Sequence, residues 1–206
     1  MVPIQNAALG RALRRLFDVP VGAALRAGLP GRRCGSSELI ALLRRRLRDP
    51  IDVSECTDPE VVRTALHTAR GLLERLPEEQ SPHPTIVGIA DLNPANVLWD
   101  GDRCRLVDFE DGGLSTPACD LADHFEHIAV RPRNMYDTQL LVRSVGLTPD
   151  ERSALAGHRV LWAVFWLLAL LPGSRAHARN PEGTLEGQAE RVLDLIEAGC
   201  DRPSVE

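Results

Sequence analysis

The strongest constraint on the fold of this chain is a short antiparallel hairpin written into an otherwise helical sequence. Val97-Leu98-Trp99 and Cys104-Arg105-Leu106-Val107 are β-favouring runs, and Asp100-Gly101-Asp102 between them offers the positive-φ position that a tight turn requires. Asn96 stands just before the outgoing strand and Asp108 just after the returning one. Both therefore fall at the open end of the hairpin, where neighbouring strands lie roughly 5 Å apart. The turn can close on two residues or three, which sets Asn96 opposite position 105, 106 or 107. In every register, two oxygen-bearing side chains share one end.

Helical periodicity dominates elsewhere. Leu9, Leu13, Leu16 and Phe17 form one apolar stripe, and Leu39, Leu42, Leu43 and Leu47 form another. Asp58-Pro59 supplies an N-cap with proline at the first helical position, and Val62, Leu66, Ala69, Leu73 and Leu76 continue one face as far as Pro77. Residues 117 to 129 read as a helix, followed by another over Met135 to Val145. Thr148-Pro-Asp-Glu151 has the form of a capping box opening a long helix through Leu171, which Pro172-Gly173 ends. Ser174 to Gly183 reads as a loop, Leu185 to Ala198 as the last helix, and the remaining tail as frayed. The fold class implied is α+β, mostly α-helical, with a small catalytic hairpin.

The chemistry begins at the hairpin's open end. A carboxylate with an amide oxygen suits Mg²⁺, a hard ion that keeps several waters and takes further ligands from substrate phosphates. Asp91 lies upstream in a loop stiffened by Pro94, placed to accept a proton from, or to orient, an attacking hydroxyl. Phosphoryl transfer is the reaction these groups suit.

Asp91-x-x-x-x-Asn96 followed by Asp108-Phe109-Glu110 resembles the catalytic and metal loops of the aminoglycoside phosphotransferase and choline kinase family, whose fold is kinase-like. The likeness continues through Pro117-Ala118-Cys119-Asp120-Leu121-Ala122, similar to the segment where the family carries a buried Asp that braces the catalytic loop. The resemblance implies that Asp91 is the catalytic base, that Asn96 and Asp108 hold Mg²⁺, and that ATP is the co-substrate. It also implies that Glu110 or Asp111 borders the site and that Asp120 is the structural brace. Residues 85–130 carry these loops, with 1–80 as leading helices and 131–200 as a helical substrate-side subdomain, so that 1–206 forms one C-terminal lobe.

Two departures from the family pattern stand out. Ile89-Ala90 replaces the usual His-Gly before the catalytic Asp, and all 24 basic residues are arginine. Such kinases hold ATP phosphates with a lysine on a β-strand of an N-terminal lobe. Arginine, a wide planar fork, is not a conservative replacement for a compact point charge. No Gly-x-Gly-x-x-Gly or Gly-Lys-Ser/Thr segment occurs, and the first 80 residues read as helical. An N-terminal nucleotide lobe is expected to be missing from these residues.

Composition narrows the partners. With 206 residues and 44% hydrophobic content, one core can bury about 70% of the unfolded chain's surface. A formal charge of −5 without a basic run disfavours nucleic acid and anionic membrane, and is compatible with a cationic acceptor. Five scattered cysteines argue against a disulfide framework or a zinc site and fit a reducing cytoplasm. The N-terminus lacks the apolar core of a secretion signal, and the apolar run Val160 to Leu171 makes a helix of only ~18 Å, too short for a bilayer core of ~30 Å.

Other polar and aromatic groups have simpler readings. His124 and His127, on the helix with Asp120, read as ordinary polar contacts, while Glu126 is placed to help bind a cationic substrate or support the site. Arg44-Arg45-Arg46 with Arg48 reads as a solvated helix end, and Trp162 with Trp166 as core packing. The leading function is a small-molecule phosphotransferase moving the ATP γ-phosphate to the hydroxyl of a hydroxylated amine, weak without an N-lobe. The alternatives are a non-catalytic module binding Mg²⁺ or a cationic ligand, and an interaction protein that pairs with a separate lobe.

Overall fold

Apolar residues repeated at three and four become helices, and the few β-favouring runs become strands of three residues. The computed structural model describes residues 3–77, 83–131 and 136–200. Packing divides the chain into two units, one from Met1–Ser36 and Ser81–His158, the other from Ser37–Gln80 and Arg159–Glu206. The expected frayed tail and Met135, the expected start of a helix, lie outside the described residues.

The first unit carries the hairpin. Its helices are α1 (Pro3–Phe17), α2 (Val21–Arg26), α5 (Pro117–Glu126), α6 (Thr138–Val145) and the start of α7 (Pro149–Ala169). Its strands are β1 (Ile86–Gly88), β2 (Val97–Trp99), β3 (Cys104–Leu106) and β4 (Gly113–Ser115). The β2–β3 hairpin pairs Val97 with Leu106, Leu98 with Arg105 and Trp99 with Cys104. Its turn is held by Asp100, whose carboxylate accepts from the amides of Asp102 at 3.1 Å and Arg103 at 2.8 Å, with Gly101 at φ 102°. Among the three registers left open, the observed one has Val107 N–H donating to Asn96 O at 3.1 Å. A second two-stranded sheet, which the sequence does not announce, pairs β1 with β4 and sets Gly88 opposite Gly113. Residues 30–32 run beside it, with Leu114 N–H donating to Pro30 O at 2.8 Å and Arg32 N–H to Leu114 O at 3.0 Å.

The α1 stripe is buried as its spacing implies, with Leu9, Leu13 and Phe17 inside, and α1 packs against α6, β1 and β3. The approach to α6 is close: a Cβ on Gly10 would stand 2.5 Å from the Ser144 Cβ. Arg14 Nη1 also donates to Val145 O at 2.6 Å, satisfying a carbonyl at the end of α6.

The second unit is helical: α3 (Ser36–Arg46) after its first residue, α4 (Pro59–Arg75), the rest of α7, α8 (Arg175–Arg179) and α9 (Thr184–Cys200). Asp58 caps α4 by accepting from the amides of Glu60 and Val61. The buried face of Val62, Ala65, Leu66, Ala69 and Leu73 belongs to a helix that packs against α9. Each buried leucine there contributes about 1.5–3 kcal/mol over an exposed one. Trp162 is buried, with its ring edge-on to Phe165 at 5.2 Å, in keeping with a core role.

Four local expectations are corrected. The helix expected over 117–129 ends at Glu126, because His127 turns extended at φ −58°, ψ 127°. The helix expected through Leu171 ends at Ala169. The stretch expected as a loop over 174–183 contains α8, capped by the Ser174 hydroxyl accepting from His177 N–H at 3.0 Å. The arginine run at the end of α3 is not simply solvated, since Arg44 donates to Leu73 O and Leu76 O and Arg46 to Leu168 O. The expected capping box is present, with Thr148 N–H on Glu151 Oε2 at 2.8 Å and Glu151 N–H on Thr148 Oγ1 at 3.2 Å. No helix among the described residues is long and apolar enough to cross a membrane.

Candidate active site

The site is assembled where β1 ends. Gly88 is followed by Ile89 and Ala90, both buried, and the chain then swings out through two left-handed residues, Ala90 at φ 54° and Asp91 at φ 21°. Such conformations in residues other than glycine cost of order 1–3 kcal/mol and persist only where the surroundings impose them. The imposing group is Asp120 on α5. Its fully buried carboxylate accepts from Ile89 N–H at 3.3 Å and Ala90 N–H at 3.2 Å. Gly88 makes room for this reach, because a Cβ there would lie 2.4 Å from Asp120 Oδ1.

Asp120 is held in turn by a buried ionic cluster. Arg32 Nε lies 3.3 Å from Asp120 Oδ1, Arg32 Nη2 donates to Asp123 Oδ2 at 2.6 Å, and His124 Nε2 lies 3.3 Å from Asp120 Oδ2. Burial works to raise the Asp120 carboxyl, but His124, Arg32 and the Ala90 amide outweigh it and hold Asp120 below the ordinary carboxylate range. Burial prevails at Asp123, which is pushed up despite Arg32 and the histidines. Burial opposes the Arg32 charge, but the two carboxylates prevail and raise its pKa.

Beyond Asp91 the loop folds on itself. Asn93 N–H donates to Asp91 O at 2.8 Å, and the Asn93 side chain caps a 3₁₀ turn over Pro94–Asn96 by accepting from Ala95 N–H at 2.8 Å. Tyr136 donates its hydroxyl to Leu92 O at 3.0 Å. Asn96 is buried, and its Nδ2 donates to Asp91 O at 2.9 Å, so its side-chain oxygen is the atom left for a ligand. With Val107 N–H bonded to Asn96 O, Asp108 follows directly, exposed and at φ 65°. An exposed carboxylate and an amide oxygen fit a hard divalent cation that takes its other ligands from water and phosphate. Among the described residues, no three His, Cys, Asp or Glu side chains gather as a protein-only metal cage.

Asp91 is half exposed, with its Oδ1 3.1 Å from His127 Nε2. The hydrogen bond from His127 holds its carboxyl below the ordinary range, against a smaller opposing effect of burial and with help from Asn93 and His124. Asp91 is therefore a carboxylate at neutral pH. Glu110 is exposed, whereas Asp111 is paired with Arg33 Nη1 at 3.0 Å. Glu126 is fully buried and presents no surface to a substrate, so of the two roles expected for it only a supporting one is compatible with its burial. The described geometry thus ties the Asn96 side chain to the Asp91 carbonyl, puts Asp108 one residue beyond the Val107–Asn96 bond, and anchors Asp120 on the two residues before Asp91.

Sequence reasoning missed Gly88 and Arg32, and it read His127 only as an ordinary polar contact. A glycine inside a strand pattern signals close backbone approach, so Gly88 was there to be found. Arg32 and His127 meet their partners across long stretches of chain and carry no local signature.

The family profile described as the phosphotransferase enzyme family matches residues 5–157. Among solved structures, a choline/ethanolamine kinase family protein from Mesorhizobium loti superposes with TM-score 0.64 at 23% identity, over 95% of this chain and 62% of its own. A wild-type aminoglycoside 2'-phosphotransferase in its GDP complex gives 0.55 at 19% identity, over 97% and 63%. A choline kinase from Streptococcus pneumoniae gives 0.54 at 14% identity, over 94% and 63%. This chain thus spans less than two thirds of the length of each. No curated protein matches it. At these identities the likeness establishes the fold, a mostly helical kinase-like architecture with small sheets.

Proposed function

Because the chain belongs to the phosphotransferase enzyme family, we propose that its 206 residues act as the C-terminal lobe of a small-molecule phosphotransferase. The reaction moves the γ-phosphate of ATP to a hydroxyl of a cationic acceptor such as an amino alcohol or aminoglycoside. One observation carries this reading. Asp91 is a half-exposed carboxylate whose own carbonyl holds Asn96, while Asn96 O holds the strand that delivers Asp108. Base and metal ligands are therefore fixed to one another through the backbone.

In this reading Asp91 accepts a hydrogen bond from the acceptor hydroxyl and takes its proton as the new oxygen–phosphorus bond forms and the bond from the γ-phosphorus to the bridging oxygen breaks, releasing ADP. Asn96 and Asp108 would hold Mg²⁺, which would supply positive charge against the charge that develops on the phosphates. Glu110 adds negative charge near the opening, favouring a cationic acceptor. Glu126 is buried and serves as support, and Asp120 braces the loop. The phosphate-holding cation comes from a nucleotide lobe outside these 206 residues, and the whole works as a cytoplasmic enzyme. The test is ATP-dependent phosphorylation of a panel of amino alcohols and aminoglycosides by the full gene product.

The absence of lysine from the chain favours one second reading, a module that binds Mg²⁺ or a cationic ligand without turnover. Acceptor binding by calorimetry, with no phosphorylated product, is the outcome that selects it.

A further inference from the structure

At the end of α5, beside Asp91, stands an imidazole with both nitrogens committed. His127 Nδ1 accepts from Ala129 N–H at 3.1 Å, and His127 Nε2 lies 3.1 Å from Asp91 Oδ1. A backbone amide can only donate, so Nδ1 is the bare nitrogen and the ring proton sits on Nε2, facing the carboxylate.

The ring is also held still. Its side chain is 11% exposed, and His127 O accepts from the amides of Val130 at 2.9 Å and Arg131 at 3.1 Å, closing a turn around it. Asp91 is the opposite case, 51% exposed on a left-handed backbone. A carboxylate so placed samples several rotamers unless something fixes it.

We infer that His127 is a positioning residue for phosphoryl transfer: as an Nε2–H donor it pins one oxygen of Asp91 and directs the other toward the acceptor hydroxyl. The inference rests on the phosphotransferase reading given above. The Asn93 side chain, also near Asp91, assists as a weaker partner. The gain is orientation, and misplacing a reacting group by about 1 Å costs on the order of a hundredfold in rate.

Two measurements test it. Long-range ¹⁵N imidazole NMR of the 206-residue chain is expected to show a proton on His127 Nε2, and the Nε2 signal is expected to move in Asp91→Ala. In the full gene product, His127→Ala is expected to lower kcat by about ten- to a hundredfold with both KM values little changed. His127→Gln, which returns an amide donor at similar reach, is expected to recover much of that loss.

An Nε2 without a proton, the Nδ1–H tautomer, would overturn the inference, as would an unchanged kcat or a loss confined to KM in His127→Ala. If the unsubstituted protein transfers no phosphate, the phosphotransferase reading fails, and the positioning role fails with it. A wrong tautomer in an active enzyme defeats the His127 inference alone.

Discussion

At the scale of single residues, the site depends on a carboxylate no solvent reaches. Asp120 holds two amides of the loop that presents Asp91, and it reaches them only because Gly88 has no side chain. Gly88→Ala is expected to cost about 1–3 kcal/mol of stability, read from the denaturant midpoint; an unchanged midpoint would show that the carboxylate moves without loss. Removing the Asp120 charge leaves Arg32 without one of its buried partners, a change of about 3–5 kcal/mol for pairs of this kind. The sign of its pH dependence follows from its depressed pKa. Stability from Asp120 is fully present above the unfolded value of about 3.9 and is lost as pH falls through the folded value. The difference between wild type and Asp120→Asn is therefore expected to be large at pH 7 and to shrink below about pH 4. Asp123, pushed up by burial, contributes with the opposite sign: its share is fully present below the unfolded value and lost as pH rises through its folded one. The variant comparison therefore isolates Asp120 where the wild-type acid curve alone would not. That Asp91, Asn96 and Asp108 lie on one loop and hairpin could be read from the sequence because short connections join them, whereas Asp120 was picked out only by its resemblance to a family segment. Arg32 was not, because its place beside Asp120 and Asp123 is decided by the pairing of residues 30–32 with β4.

At the scale of elements, helices with a cap and a long stripe were readable, and three-residue strands were not. Asp58 at the head of α4 and Thr148 with Glu151 at the head of α7 act as their types and spacing imply. Asp58→Ala is expected to cost about 1 kcal/mol, visible as a lowered thermal midpoint. The β1–β4 sheet escaped because three residues show no period. Helix α8 escaped because five residues among polar neighbours look like a loop until Ser174 is seen capping them. Close packing of α1 on α6 was equally hidden in the sequence. Gly10→Ala forces a methyl within 2.5 Å of the Ser144 Cβ, and a loss of about 1–3 kcal/mol is expected. Gly10→Ala combined with Ser144→Gly is expected to recover much of it, since the colliding atom is then gone.

For the molecule as a whole, the family is established and the fold is kinase-like, while the chain spans 62% of the Mesorhizobium loti protein it resembles. The chain carries 24 arginines and no lysine, so under the proposed function the geometry around Asp91 serves the acceptor side of the reaction while the nucleotide's phosphates are held from elsewhere. The most direct test compares ATP-dependent phosphorylation of amino alcohols and aminoglycosides by the full gene product and by its Asp91→Ala variant, with the 206-residue chain assayed alongside. The expected result is turnover by the unsubstituted protein, a loss of about a hundredfold or more in the variant, and near-background activity from the 206-residue chain alone. Undiminished turnover by the Asp91→Ala variant, or robust turnover by the 206-residue chain alone, would contradict it.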